Sequence, residues 1–142
     1  MNDGASPATP TRLEPPVTET SRPFWEATRE RRLVLQWCAE CDAAVFYPRD
    51  NCPRCLRDAL EWRPASGHGV VYAFSVHHLA GNPFMGDRLP YAVALVELDE
   101  GVRMMANIVG CAPDDVVVGM PVAVTWEPLS DGRHLPQFAP RG

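Results

Sequence analysis

The sequence predicts a mainly β protein, in which one short helix and a ribbon held by cysteines precede a five-stranded barrel of the OB type. Three observations support this prediction. Two Cys-x-x-Cys pairs lie between residues 38 and 55, and apolar residues alternate with a period of two from residue 67 onward. The chain of 142 residues also holds 15 prolines, which limit long helices because proline removes a backbone donor and clashes inside a helix.

Changes of composition divide the chain into three parts. Residues 1–20 combine proline, serine, threonine and charge with almost no apolar periodicity, which is typical of a disordered tail. Residues 21–63 contain a helix and the cysteine pairs, and residues 64–142 carry the barrel pattern. A metal-binding module attached to a small barrel is therefore predicted.

The predicted helix begins at Ser21, a favourable N-cap residue, and continues for about three turns to Leu33. Pro23 stands in its first turn, where a missing N–H costs nothing. Phe24 and Trp25 are adjacent, so one face of a helix cannot bury both rings. Either one ring packs on the ribbon while the other stays half exposed, or the pair contacts a partner.

The cysteine segment contains Cys38, Cys41, Cys52 and Cys55. Each Cys-x-x-Cys turn can place two thiolates on one metal, and two such turns complete a closed tetrahedral site. One structural zinc ion is predicted there, because a site with no open position cannot activate water. Iron also suits four sulfur ligands, and four free buried cysteines are the third interpretation.

Five strands are predicted in the barrel, and Gly101 supplies the positive φ of a tight hairpin between the second and the third. A helical turn is expected at residues 112–115. Strict alternation would place Tyr72, Phe74 and Tyr91 mainly in the core. The predicted strands cover residues 69–78, 90–99, 102–110, 121–127 and 135–139.

Charge and hydropathy argue against several classes of protein. The net charge is −5, and all 13 basic residues are arginine, which disfavours a surface that coats phosphates. No apolar run reaches the roughly 18 residues of a membrane helix, and the first 20 residues lack the pattern of a secretory signal. A cytoplasmic protein is expected, and in a reducing compartment paired cysteines are metal ligands more often than disulfides.

Several motifs, in this order and spacing, resemble the DUF35 family of acyl-CoA-associated zinc-ribbon and OB-fold proteins. The resemblance covers about residues 22–140 and implies a rubredoxin-like ribbon before the barrel. At the cysteine turns this chain has Asp42 and Leu56 where such ribbons usually carry glycine, so the second turn is expected to be distorted. The motifs are PFW (23–25), the four cysteines around FYPR (46–49), GHGVVY (67–72), PYAVALVEL (90–98), NIVG (107–110), VGMPV (118–122) and LPQF (135–138).

The resemblance implies an accessory subunit of a thiolase-like enzyme that condenses or cleaves acyl-CoA, including retro-aldol cleavage of steroid side chains. On this interpretation the chain has no catalytic residue of its own and forms a hetero-oligomer that helps hold an acyl-CoA. The loop at residues 79–89 would supply an arginine for phosphate and an apolar pair for an acyl or pantetheine channel, unless it is simply a disordered hairpin loop. The candidate partner or acyl-CoA contacts are Phe24, Trp25, Phe84, Met85 and Arg88.

Two other classes of function remain open from the sequence. A nucleic-acid-binding protein is the main alternative, because OB barrels and zinc ribbons often bind nucleic acids, although only Arg103 accompanies the strand aromatics. A free-standing enzyme lacks a recognisable nucleophile and base. Its candidate groups are His77, His78, His134, Glu97 and Asp99.

Overall fold

The structure is a computed structural model that describes residues 13–79, 86 and 88–141. Its described elements are one α-helix, eight strands and a 3-10 turn at Pro113–Asp115. The helix and strands are α1 (Arg22–Thr28), β1 (Val34–Cys38), β2 (Ala43–Val45), β3 (Leu60–Pro64), β4 (His68–His77), β5 (Tyr91–Leu98), β6 (Arg103–Ile108), β7 (Pro121–Pro128) and β8 (His134–Pro140).

The first three strands form a small antiparallel sheet in the order β2-β1-β3. Cys38, at the end of the central strand, pairs with Ala43 on one side and with Leu60 on the other. The sheet therefore fixes the backbone on both sides of the first cysteine and brings the chain back to the start of the barrel.

The remaining strands close into a barrel in the order β4-β5-β6-β8-β7. All pairs are antiparallel except β6 with β8, which meet in parallel at Ile108 and Phe138. Alternate residues of β5 are buried, as expected for a strand with one face in the core. The predicted fold class is confirmed, and the five predicted barrel strands agree with the observed ones to within about two residues.

The predicted turns of the barrel are also confirmed. Gly101 has φ +91°, and the N–H of Leu98 donates to the carbonyl of Val102 at 2.8 Å, which closes the hairpin between β5 and β6. The predicted helical turn before β7 is the short 3-10 turn.

The predicted alternation on β4 is wrong, because a β-bulge shifts the register between Val71 and Ala73. Before the bulge Val71 fills the barrel interior, where it is fully buried. Tyr72 lies in the bulge and is 46% exposed, and Phe74 pairs with the buried Ala94 but is still 37% exposed, so the prediction that both rings lie mainly in the core is wrong. The bulge therefore moves Phe74 to the same face as Val71, whereas Tyr72 stays on the outer face with Val70, which is 36% exposed.

The helix is shorter than the predicted three turns. After Thr28 the chain bonds back on itself, with Arg32 N–H on the carbonyl of Ala27 and Arg31 N–H on that of Thr28. Arg31 has φ 57°, so these bonds form a Schellman motif with arginine in the position that usually holds glycine. Ser21 precedes the helix as predicted, but its side chain makes no capping hydrogen bond.

The expectation that Phe24 or Trp25 would remain half exposed is wrong. Both are buried, 5% and 8% exposed, and their rings meet edge to face with centroids 5.0 Å apart. The helix packs between the ribbon and the barrel, so the two rings find apolar neighbours on different sides. Their core cluster contains Leu35 of the ribbon and Phe138 of the barrel.

Part of the predicted N-terminal tail contacts the barrel. The carboxylate of Glu14 accepts hydrogen bonds from the N–H and hydroxyl of Ser130 at 2.9 and 2.8 Å. Arg133 donates to the carbonyl of Pro15 at 2.9 Å. Glu14 and Pro15, which belong to the predicted tail, therefore contact the barrel, and residues 1–12 lie outside the described residues.

In the described part of the chain, the helix is too short and too polar to cross a membrane.

Candidate functional site

The four predicted metal ligands converge at one point beside the ribbon sheet. Cys38 ends β1, Cys41 lies in the turn to β2, and the second pair lies in the loop before β3. The four sulfur atoms all lie within 4.8 Å of one another. The Sγ atoms of Cys38 and Cys55 are 3.7 Å apart, and those of Cys41 and Cys52 are 3.9 Å apart.

This arrangement fits a tetrahedral zinc ion. Zinc–sulfur bonds of about 2.3 Å place the sulfurs of a regular tetrahedron about 3.8 Å apart, close to both short separations. Cys38 and Cys52 are fully buried, whereas Cys41 and Cys55 are partly exposed. Since all four positions are filled by protein, the ion would stabilise the fold and not activate water.

Backbone groups surround the sulfurs and tune their protonation. Hydrogen bonds from the backbone of Cys55 and then of Arg54 lower the pKa of Cys52 to about 6, although burial opposes this shift. Burial, followed by the neighbouring thiols, raises the pKa of Cys41 to about 12. Without a metal the Cys41 thiol therefore stays protonated, and a bound divalent cation would supply the charge that stabilises it as a thiolate.

Both cysteine turns adopt the left-handed backbone that glycine would favour. Asp42 has φ 52° and Leu56 has φ 65°. The expected distortion of the second turn is absent, because the N–H of Leu56 still bonds the carbonyl of Cys52 at 2.8 Å and the sulfurs converge. The leucine side chain gains little in return, since it is 75% exposed.

Replacing Leu56 with glycine is expected to raise the free energy of unfolding by up to about 1 kcal/mol. A left-handed non-glycine residue costs about 1–2 kcal/mol, and the freedom glycine gains in the unfolded chain offsets part of that relief. Urea denaturation with zinc bound measures the change. Leu79→Gly is the matched control, since Leu79 is 84% exposed and its φ is not positive, so it should be neutral or destabilising. A Leu56→Gly protein less stable than the wild type would contradict the prediction.

The other candidate contacts have different positions. Phe84 and Met85 lie outside the described residues. Arg88 forms a two-point ion pair with Glu127, with N–O distances of 3.1 and 2.9 Å, and Gln137 donates to the same carboxylate at 3.3 Å. A phosphate would therefore have to compete with a carboxylate for this arginine. Sequence spacing could not reveal the pair, because 39 residues separate its members.

The candidate catalytic groups are not brought together. His77 Nε2 lies 3.0 Å from Ser75 Oγ and its ring stacks on Tyr91, but among the described residues no carboxylate contacts it. His134 Nδ1 lies 2.8 Å from the carbonyl of Thr28, so it fastens the helix to the barrel. Glu97 faces Arg103 instead of a histidine.

An apolar groove is the second feature of the site, and the sequence did not reveal it. It has a volume of about 390 Å³ and lies where the N-terminal segment, α1, the chain after β2, β6 and β8 meet. Five separate segments supply it, so no single stretch shows its pattern, although the PFW, FYPR and LPQF motifs each contribute lining residues. The lining residues are Pro15, Pro16, Thr18, Ser21, Phe24, Trp25, Phe46, Tyr47, Pro48, Met104, Met105, Leu135 and Pro136.

Two family models match the chain in succession. Residues 25–61 match the model described as the ChsH2 rubredoxin-like zinc ribbon domain. Residues 62–127 match the model described as the ChsH2 C-terminal OB-fold domain. The first match contains all four cysteines, so it identifies zinc as the metal that these ligands hold.

Individual proteins resemble the chain over most of its length. It is 41% identical over 133 residues to a probable enoyl-CoA hydratase alpha subunit of Thermomonospora curvata, covering 92% of this chain but only 41% of that protein. It is 37% identical over 109 residues to a DUF35 domain-containing scaffold protein of Methanocaldococcus jannaschii, covering 75% and 77% of the two chains.

A chain of the solved Ltp2-ChsH2(DUF35) aldolase structure superposes on this protein with a TM-score of 0.80 at 38% identity. The superposition covers 89% of this chain and 98% of the solved one. The likeness therefore extends over the ribbon and the barrel together.

Proposed function

Because the chain belongs to the DUF35 family of ChsH2-type zinc-ribbon and OB-fold proteins, we propose that it is a non-catalytic accessory subunit of an acyl-CoA enzyme complex. The observation that carries the proposal is the likeness to a chain from the Ltp2-ChsH2(DUF35) aldolase. The superposition covers 98% of that solved chain. Two archaeal relatives are named scaffold proteins, which agrees with a supporting role.

The chemistry of the chain supports a non-catalytic role. Four cysteines fill the metal's coordination positions, so the ion offers no place for substrate or water. The described histidines make structural contacts and form no nucleophile, base and carboxylate series. Bond making and breaking would then fall to another subunit.

The proposed partner is a thiolase-like enzyme acting on an acyl-CoA thioester, including the retro-aldol cleavage of a steroid side chain. The partner would supply the nucleophilic cysteine and the acid and base groups. This chain would stabilise it and help position the thioester. A relative in Mycobacterium tuberculosis, 33% identical, is named a 3-oxo-4,17-pregnadiene-20-carboxyl-CoA hydratase alpha subunit, which supports a steroid acyl-CoA substrate.

The nucleic-acid alternative gains little from the structure. Tyr72 and Phe74 are exposed and could stack on bases. However, the guanidinium of Arg103 lies 3.6 Å from the centroid of the Tyr72 ring and covers one face of it. The net charge of −5 also opposes binding to a polyanion.

The chain is expected to co-purify with a co-expressed thiolase-like enzyme of the same organism and to show no acyl-CoA turnover alone. Co-expression, sizing chromatography and an acyl-CoA cleavage assay measure both. His77→Ala should leave the turnover of the complex within about twofold, because this histidine contacts only Ser75 and Tyr91 among the described residues. Two proteins that elute separately at micromolar concentration, with the enzyme equally active and soluble alone, would exclude the accessory role. Turnover by the isolated chain that His77→Ala abolishes would exclude the non-catalytic role.

A further inference from the structure

The apolar groove combines a buried floor with an exposed apolar rim. Phe24, Trp25 and Met104 form the floor and are at most 8% exposed. On the rim, Tyr47 is 52% and Met105 is 62% exposed. Large apolar side chains that stay this open at the edge of a cavity are a feature of surfaces that bind something.

The composition of the groove matches the core of a protein interface. None of the thirteen described residues that line it is charged, although 22% of the whole chain is charged. Phenylalanine, tryptophan, tyrosine and methionine supply six of the thirteen. Interface cores are enriched in these residues and depleted of charge, and they provide pockets for anchor side chains.

The groove is poorly suited to a complete acyl-CoA. Its phosphates would call for a cation, and none lines the groove in the described part of the chain. The arginine behind Trp25 is Arg133, which is 4% exposed and already bonds the Asp131 carboxylate and the carbonyl of Pro15. An apolar side chain of a protein partner needs no cation, so the uncharged lining suits it.

The apolar surface also continues beyond the groove across the barrel. In the strand register Met105 pairs with Leu95, and Leu95 pairs with Ala73, so these three residues form one row on β6, β5 and β4. The neighbouring buried residues Met104 and Val96 pair on the inner face, so the row lies on the outer one. An apolar row that crosses three strands is wider than the binding site of one small molecule has to be.

We propose that the groove and this row form the docking surface for the enzyme subunit, which places an apolar side chain over Tyr47 and Met105. The backbone N–H of Met105 donates to the hydroxyl of Tyr47 at 3.4 Å, so the two residues form one edge of the groove. The inference rests on the proposed function and specifies which face of this chain carries it. The uncharged lining, the exposed rim and the adjoining outer row all fit one protein partner. The adjoining strand surface distinguishes this occupant from an isolated acyl chain.

Met105→Glu in the full chain tests the docking surface. A carboxylate at the rim would have to lose its water in an apolar interface, so the dissociation constant for the thiolase-like subunit should rise at least about tenfold. The variant should fold, because Met105 is 62% exposed on the outer face of β6. Val118→Glu adds the same charge at a residue that is 67% exposed and outside the groove, and it should bind like the wild type. Tyr47→Ala, which adds no charge, should weaken binding at least about fivefold.

The possible outcomes separate this inference from the proposed function. If the wild type binds the enzyme subunit and both Met105→Glu and Tyr47→Ala bind it equally tightly, the docking surface is overturned and the accessory role is left intact. Equal weakening by Met105→Glu and Val118→Glu overturns it as well, because net charge would then be the cause. Decanoyl-CoA binding to the isolated chain that Met105→Glu abolishes, while the complex persists, would make the groove a ligand site instead. A wild-type chain that does not bind the enzyme at all removes both proposals.

Discussion

Replacing Cys52 with serine is expected to remove the zinc and to lower the free energy of unfolding by about 4 kcal/mol or more. A ligand that binds only the folded state stabilises it by about 4 kcal/mol when its free concentration is roughly a thousand times the dissociation constant. Cys52 is fully buried among the other three sulfurs, so its loss breaks the closed tetrahedron. A serine hydroxyl does not replace a thiolate on zinc.

Elemental analysis of protein purified without chelator, together with thermal denaturation, measures this effect. The wild type should carry one zinc per chain, and Cys52→Ser should carry much less and melt at a lower temperature. Cys111→Ser is the control, because Cys111 is partly buried but outside the cluster, so the zinc content should not change. A Cys52→Ser protein with full zinc content and unchanged stability would exclude the metal centre, and bound iron would identify a different ion.

Truncating Trp25 to alanine is expected to lower the free energy of unfolding by about 3–5 kcal/mol, the usual cost of removing a large aromatic ring from a core. The ring is 8% exposed, packs on Phe24 and lies 4.9 Å below the guanidinium of Arg133. Its removal would leave a cavity and deprive a buried arginine of its aromatic face. From the sequence alone, a partner contact worth about 1–3 kcal/mol of assembly was an equally open interpretation.

Urea denaturation, zinc analysis and a measurement of binding to the enzyme subunit together distinguish these two roles of Trp25. If it is a core residue, Trp25→Ala should be unstable but keep its zinc, because the ring does not touch the cysteines' cluster. Trp25→Phe should lose less stability, since it retains part of the apolar volume. Unchanged stability of Trp25→Ala combined with weakened assembly would instead make Trp25 an interface residue.

Features that depend on local chemistry were predictable from the sequence. The spacing of Cys38, Cys41, Cys52 and Cys55 indicates that two short turns each present a pair of thiolates, so no long-range information is needed to propose the site. The barrel strands follow from alternating apolar residues. The hairpin follows from a glycine between two such strands, because glycine tolerates the positive φ that Gly101 adopts.

Features that depend on distant residues were not predictable. The bulge before Ala73 is an insertion relative to β5, and one strand read alone shows only its own alternation. Both helix aromatics are buried because the helix packs against the ribbon on one side and the barrel on the other, and the sequence does not show how these two parts are arranged around it. The partner of Arg88 lies on β7, and the groove is assembled from five segments.

The single core shared by helix, ribbon and barrel determines where the gene can be divided. The family models part between residues 61 and 62, yet these two residues are neighbours within β3, whose whole length pairs with β1. A cut at that point would remove half an edge strand from the ribbon and expose apolar surface that the other half covers. In the design of fusions, this chain is therefore best kept undivided from Glu14, whose carboxylate bonds Ser130, to the end of β8, although two separate family models match it.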